Sequence, residues 1–348
     1  MKNNKGNKPA TIYDIARMTG FTGATVSRVL NNNGYIAENT REKIMEAARK
    51  LNYSPNPAAR TLKTKKTNQI MLSIPDIRNE YFFELIASMH EVTNRNGYSL
   101  LLNYTESDIK EELNMLKKVR ENYFDGLVLI SMNFTKKHLD EIRNIKQPIV
   151  LSTMSCNKID SPDGLFDFVG VDTRKGTYLT TRHLIDQGHV RIGYLGLPLN
   201  TQTGDERFAG YCMAMNEASL EVDEELVMTG AYSEEFGYQK GKLITKISNK
   251  PTAVCAGNDA LALGLYRAFE EDGIRIPEDI GVVGMDNIYI SSRIRPKLTS
   301  IAMSQDKIGK LAAEFIFERI NGLKEPSRTV VFEPELVVRE SSIRRKSL

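Results

Sequence analysis

The sequence predicts an α/β protein built from three parts: an all-helical N-terminal head of the helix-turn-helix kind, a hinge helix, and a two-lobed core of parallel α/β sheets. Three observations predict it. Apolar residues recur at helical spacing, with two interruptions, between Thr11 and Leu51. From Ile70 onward, strand-like apolar runs alternate with helix-like segments. Charge is split between the parts: residues 1–66 hold 13 Lys/Arg and 4 Asp/Glu, a net of +9, whereas the whole chain totals 47 and 44, leaving −6 for the remainder. A cationic head on an anionic body points to nucleic acid as the partner of the head.

Thr11 opens the first helix, and Asp14 three positions later completes a capping-box pattern. Ile12, Ile15 and Ala16 form its apolar face. Gly20-Phe21 interrupts that face, with Gly supplying the permissive backbone of a tight turn. A second helix follows from about Thr22 to Leu30, with Val26, Val29 and Leu30 inward. Its other face carries Gly23, Ala24, Thr25, Ser27 and Arg28, small and polar enough to approach base edges in a major groove. A third helix is expected to start at Asn39 with Glu42 as its capping partner and to bury Ile44, Ala47, Ala48 and Leu51. A bare three-helix bundle has the same periodicity; the basic charge favours DNA.

Next, Asn56 is a good N-cap and Pro57 sits where a first helical turn favours Pro. Two turns, through Ala58, Ala59, Arg60, Thr61, Leu62 and Lys63, are too few to stand alone in water. Leu62 is an apolar residue stranded among cations, the kind that minor-groove binders wedge between base steps; an exposed linker leucine is the plainer reading.

The segments T-I-Y-D-I-A at 11–16, A-T-V-S-R-V-L-N at 24–31 and L-N-Y-S-P-N-P-A-A-R-T-L at 51–62 resemble the LacI/GalR (lactose-repressor) family of bacterial transcription regulators, with weaker matches in the same order down to about Glu340. The resemblance implies a head over 1–54, a hinge helix and linker over 55–66, and a core over 67–341 of the periplasmic-binding-protein type. It implies DNA contacts from Thr11, Gly23, Ala24, Thr25, Ser27, Arg28, Asn31, Ala59, Leu62 and Lys63. Gly23 and Ala24 stand where the family most often varies its specificity, and both are nearly bare.

In the body, strands are expected at Ile70–Ile74, Ser99–Asn103, Leu127–Ile130, Ile149–Ser152, Phe168–Val171, Arg191–Leu195, Ala253–Ala256 and Gly281–Gly284. Helices are expected near 83–94, 109–121, 136–144, 175–186, 208–218, 235–247, 260–271 and 307–321. Such alternation means right-handed βαβ units, and so many elements exceed one core, so two lobes with a cleft between them follow. By resemblance, the chain passes between lobes near Asp172, Thr299–Ser304 and Arg328–Val331. Lobe 1 then takes about 67–172 and 304–328, and lobe 2 about 173–298 and 330–340, with Val330–Val338 in the second.

The three cysteines, Cys156, Cys212 and Cys255, are scattered and form neither a disulfide framework nor a zinc spacing, as expected in a reducing cytoplasm. No apolar run reaches membrane-spanning length, and MKNNKGNKPA has no apolar signal core. His90, His138, His183 and His189 lack metal-ligand spacing, and neither a phosphate loop nor a nucleophile elbow appears, so the body reads as a binder, not an enzyme, with no cofactor or metal.

Its binding groups belong at loops after strands, where open α/β sheets hold ligands. By resemblance, Asn79, Tyr81 and Phe82 line the cleft, with Glu80 standing where the family usually has Pro; a simple helix start is the alternative for the two aromatics. Arg207, within G-D-E-R-F-A-G at 204–210, matches the family's cleft arginine, and a surface ion pair with Asp205 or Glu206 is its alternative. Asp259 is the better N-cap of its helix, leaving Asn258 to face the cleft or to serve as a turn residue. Asp286 matches the family's ligand-binding Asp, an acceptor-only carboxylate suited to two hydroxyls.

The function expected is a DNA-binding regulator, a repressor, acting as a homodimer on a near-palindromic operator in the bacterial cytoplasm, under control of a sugar, sugar acid or sugar phosphate bound between the lobes. Control by a protein co-effector, action as an activator, and a sugar-binding transport-type protein are the alternatives.

Overall fold

The computed structural model describes residues 10–55, 61, 64–153 and 164–344. The chain divides into two units, Met1–Thr67 and Asn68–Leu348.

The head holds α1 (Ile12–Thr19), α2 (Gly23–Leu30) and α3 (Glu38–Lys50). They close on Ile15, Val26, Val29, Ile44, Ala47 and Ala48, all side chains that the apolar periodicity turns inward. The capping box forms: Thr11 N donates to Asp14 Oδ2 at 2.9 Å while Asp14 N donates to Thr11 Oγ1 at 3.4 Å. Gly20 ends α1 in the left-handed region at φ 76°, its N–H donating to the Ala16 carbonyl. The third helix departs from expectation. It starts at Glu38 behind Ala37, with no side-chain cap, so Asn39 and Glu42 lie inside it; Glu38 instead puts a negative charge in the first turn, where the helix dipole favours it.

In the second unit, the first sheet runs in the order β11-β5-β4-β3-β1-β2. Its members are β1 (Gln69–Ile74), β2 (Ser99–Tyr104), β3 (Gly126–Ser131), β4 (Ile149–Thr153), β5 (Asp167–Val171) and β11 (Thr329–Phe332), all parallel. The helices α4 (Tyr81–Arg95), α5 (Ile109–Arg120), α6 (Lys136–Ile142) and α11 (Gln305–Ile320) belong to this lobe. The second sheet runs β12-β10-β9-β8-β6-β7. It comprises β6 (Ile192–Gly196), β7 (Val227–Thr229), β8 (Ala253–Ala256), β9 (Gly281–Asp286), β10 (Thr299–Ala302) and β12 (Glu335–Val337), parallel except for antiparallel β12. Around it lie α7 (Thr173–Asp186), α8 (Gln202–Glu217), α9 (Glu234–Ile244) and α10 (Asp259–Glu271).

Strands covered on both faces are mostly apolar, and every residue of β3, β5, β6, β8 and β9 is buried, with Ser131, Asp167 and Asp286 at strand ends. Each Leu, Ile or Val so buried contributes about 1.5–3 kcal/mol. The core does not stop at the lobe boundary: Met285, Ile301 and Met303 share one apolar cluster with Leu72, Val128 and Val169.

Three elements correct the expectation. Thr329–Phe332 pairs with β5 in the first lobe, so the last passage lies at Glu333-Pro334, not near Arg328–Val331, and only Glu335 onward joins the second lobe. Thr299–Ala302 is a full strand of the second lobe, so the middle passage narrows to Met303-Ser304. The helix expected near 208–218 starts at Gln202, because Thr201 caps it through Gly204 N at 3.1 Å; Gly204 and Asp205 read as loop but lie in the first turn.

Asp167 ties the returning chain down. Its buried carboxylate accepts from Arg319 Nη2 at 2.8 Å and Nε at 2.9 Å, and from Arg328 N at 2.8 Å and Nη2 at 3.1 Å, joining β5, α11 and the start of β11. Burial works to raise its pKa, but the hydrogen bonds from the two arginines prevail and hold it below the usual value. A depressed carboxylate stabilises the fold above its unfolded pKa, and that stability is lost as pH falls through the folded value. Asp167→Ala is therefore expected to cost about 2–3 kcal/mol at neutral pH. Chemical denaturation at about pH 7 and about pH 3 checks it, and the deficit shrinks at the lower pH.

Candidate functional site

The residues anticipated for DNA and for a small molecule fall on two surfaces. In the head, Thr22 caps α2 by accepting from Thr25 N at 3.2 Å. Ala24 and Arg28 are exposed on α2, and Gly23, Thr25 and Ser27 are half-buried. These side chains are partly engaged with one another: Thr25 Oγ1 lies 2.9 Å from Thr22 Oγ1, and Asn31 Nδ2 donates to the Ser27 carbonyl at 2.7 Å. Thr11 is occupied by its capping box. Two exposed tyrosines were not anticipated: Tyr13, 76% exposed with its ring beside Gly23, and Tyr35, 100% exposed. Exposed aromatics have no periodic signature to give them away. Ala59, Leu62 and Lys63 lie outside the described residues.

The second surface is a cavity of about 560 Å³ between the lobes, at the carboxyl ends of their strands. The first lobe contributes Asp76, Arg78, Asn79, Phe82, Tyr104 and Glu106; the second contributes Arg207, Tyr232 and Asp286 among others. Four of the six anticipated cleft residues, Asn79, Phe82, Arg207 and Asp286, are thus brought together. Tyr81 is not on the lining. It is buried at the start of α4, edge-on to Phe82 with ring centroids 5.0 Å apart. Its hydroxyl pKa is raised by burial and by the charge of Asp286. Asn79 Oδ1 accepts from Tyr81 N at 2.9 Å, which sets the entry to α4.

Asn258 takes the cap expected of Asp259, and neither residue is on the cavity lining. Asn258 is the N-cap of α10, its Oδ1 accepting from Leu261 N at 2.9 Å. Asp259 is buried against the second sheet, accepting from Ser291 Oγ and Ser300 Oγ at 2.6 Å each and from Ile288 N at 3.0 Å. Both residues cap helices well; the partners that recruit Asp259 lie 29 to 41 residues downstream, beyond the reach of local reasoning.

Arg207 is fully buried inside α8. Its Nη1 donates to Tyr232 Oη at 3.0 Å and to the Gly257 carbonyl, and its guanidinium lies 5.1 Å from the Tyr232 ring centroid. Burial raises the Tyr232 hydroxyl to about 12 despite the nearby Arg207. Asp286 ends β9 with φ 113°, is 2% exposed, and its Oδ1 has no hydrogen-bond partner among the described residues. Burial drives its pKa well above the carboxylate range; Arg207 opposes this, and Asp259 adds to it. Asp259 is itself raised by burial to about 6. On the opposite wall, Arg78 Nε donates to Asp76 Oδ1 at 3.0 Å, and its Nη2 donates to Asp76 Oδ2 at 3.3 Å and to Tyr104 Oη at 3.2 Å. Arg78, Tyr104, Glu106 and Tyr232 escaped sequence reasoning because they come from strand ends and the loops after them with no shared pattern, one of them following the three-residue β7.

Among the described residues, no group of three His, Cys, Asp or Glu is placed to hold a metal, and no helix is long and apolar enough to cross a membrane.

The family model for bacterial regulatory proteins of the lacI family matches residues 11–56, and that for a periplasmic binding protein-like domain matches residues 181–342. The HTH-type transcriptional repressor PurR of Pasteurella multocida (strain Pm70) is 36% identical over 334 residues, covering 95% of this chain and 98% of that protein. The lac repressor bound to ONPG in its repressed state is similar at a TM-score of 0.83 and 25% identity, covering 96% of this chain and 100% of that one. The CelR–cellobiose complex is similar at 0.69 and 26%, covering 95% and 99%.

Asp286 generates a pH prediction. A carboxyl whose folded pKa is raised stabilises the fold fully below its unfolded pKa, and that stability is lost as pH rises toward and through the folded value. Asp286→Asn removes the titration. Relative to wild type, its melting temperature should improve steadily from about pH 5 to about pH 8 in thermal denaturation without added small molecules.

Proposed function

The chain belongs to the lacI family of bacterial regulatory proteins, and from that membership we propose a transcriptional repressor whose two copies grip a near-palindromic operator with a strength set by a small molecule held between the core lobes. It is a regulator and not an enzyme, and it needs no cofactor. Its DNA partner puts the proposed activity in the bacterial cytoplasm.

The head reads bases through α2. Arg28 is exposed, makes no side-chain hydrogen bond or ion pair with another described residue, and shares its face with small residues that let the helix approach closely. With Ala24 bare, direct readout falls on Arg28 and Thr25, and the rest on DNA shape. Arg28→Ala should cost roughly 1–3 kcal/mol on operator DNA and far less on random DNA in a gel-shift titration. Equal losses on both would show a phosphate contact only.

The effector is a neutral ring compound rich in hydrogen-bond donors. The observation that carries this is the charge balance of the cleft. Both cations on the lining are already engaged, Arg78 by Asp76 and Tyr104 and Arg207 by Tyr232 and the Gly257 carbonyl, while Asp76 and Glu106 bring two carboxylates and Asp286 a carboxyl that burial pushes toward its neutral form. An incoming phosphate or carboxylate would lose hydration without gaining a cation. Sugar acids and sugar phosphates drop out of the initial set. Nucleobases enter it beside neutral sugars, since the similar repressor is a PurR and the similar complex holds cellobiose.

The experiment is a thermal-shift screen with adenine, guanine, glucose, cellobiose and glucose 6-phosphate, repeated on Asp286→Asn and Arg207→Ala. A neutral compound should raise the melting temperature of wild type and leave both variants unmoved. A shift by glucose 6-phosphate alone refutes the neutral class.

A further inference from the structure

Gln305 opens α11 in the first lobe, yet its side-chain amide donates to the main-chain carbonyl of Asp286, the last residue of β9 in the second. Beside this bond the covalent passage between lobes is only Met303-Ser304 long. The surrounding backbone is held in an unusual state: Asp286, Asn287 and Ser304 have φ of 113°, 50° and 54°. Residues other than glycine adopt such angles where neighbouring contacts enforce them.

The helix that Gln305 starts does not move alone. A Cβ at Gly309 would overlap the carbonyl oxygen of Leu85, so α11 and α4 meet backbone to backbone. The first turn of α4 carries Phe82 to the cleft. A displacement at the end of β9 therefore reaches the opposite wall through one rigid pair of helices. A second bridge, Thr203 Oγ1 to the Met132 carbonyl at 3.3 Å, joins the lobes through α8, the helix of Arg207.

We infer that Gln305 couples occupancy of the cleft to the relative position of the lobes. Asp286 has two ends: a carboxyl, on a residue that lines the cavity, and a carbonyl that holds Gln305. A group that engages the first shifts the residue that the second is bound to. A hydrogen bond made in one lobe arrangement and broken in another weights their populations by roughly 2- to 10-fold. The inference rests on the effector reading above for its trigger, but the latch acts on the protein with an empty cleft as well. Gln305 is a positioning residue and is not assigned a contact with the effector.

The test uses the full chain as Gln305→Met, which keeps length and removes the donor, and Gln305→Lys, which restores one. Operator-fragment affinity is measured alone, with guanine and with cellobiose, beside melting temperatures. At an unchanged melting temperature, Gln305→Met should shift the small-molecule-free operator Kd by roughly 2- to 10-fold and shrink the operator response to whichever probe acts on wild type. Gln305→Lys should return both toward wild type. If neither probe stabilises wild type, the neutral-effector reading fails by itself, and the probe-free arm still decides the latch. The inference is overturned if Gln305→Met matches wild type within about twofold in free operator affinity and in any probe response.

Discussion

Parallel pairing of β1 with β2 and β3, and of β8 with β6 and β9, obliges each strand to be followed by a segment that climbs back to the amino end of the next. The carboxyl ends of neighbouring strands then collect on one side. Asp76, Tyr104, Tyr232 and Asp286 lie at or just past such ends, so facing the two sheets toward one another brings them into one cavity. The three short passages between the lobes keep that arrangement while leaving little chain to resist a change of angle. The apolar cluster shared by Met285, Ile301 and Met303 with the first sheet packs beside the Met303-Ser304 passage.

Buried charge is the second organising constraint. Arg207 loses its hydration entirely and recovers it from a phenol, a main-chain carbonyl and a nearby acid. Asp259 is satisfied by two hydroxyls and an amide, and holds the turn after β9 in place. Asp286 sits between them, less satisfied than either. An acceptor held in a dry wall with one oxygen unmatched is poised to reward a donor brought in from outside.

Much of this was legible in the sequence, wherever a local rule decided the outcome. The Thr11–Asp14 box, the turn at Gly20 and the inward faces of α1 to α3 follow from spacing within a few residues. The alternation of runs from Ile70 announced the parallel lobes. What was not legible depended on distant partners. Asn258 and Asp259 are equally good caps, and Ser291 and Ser300 decide between them. The assignment of Thr329–Phe332 turned on an open edge at β5, which nothing near residue 330 reveals. The charged wall of Asp76, Arg78 and Glu106 has no motif at all and exists only because β1 and β2 are neighbours.

The strands β11 and β12 lie within nine residues of one another, yet each finishes a different sheet, and the buried Ser341 and Ser342 follow at once. Residues 329–337 thus cover β5 in one sheet and β10 in the other. Loss of residues 329–337 would take one strand from each sheet at once. Unpaired parallel edges of this kind attract other nascent chains. A chain that lacks this stretch would therefore bare β5 and β10 together to pairing with other chains.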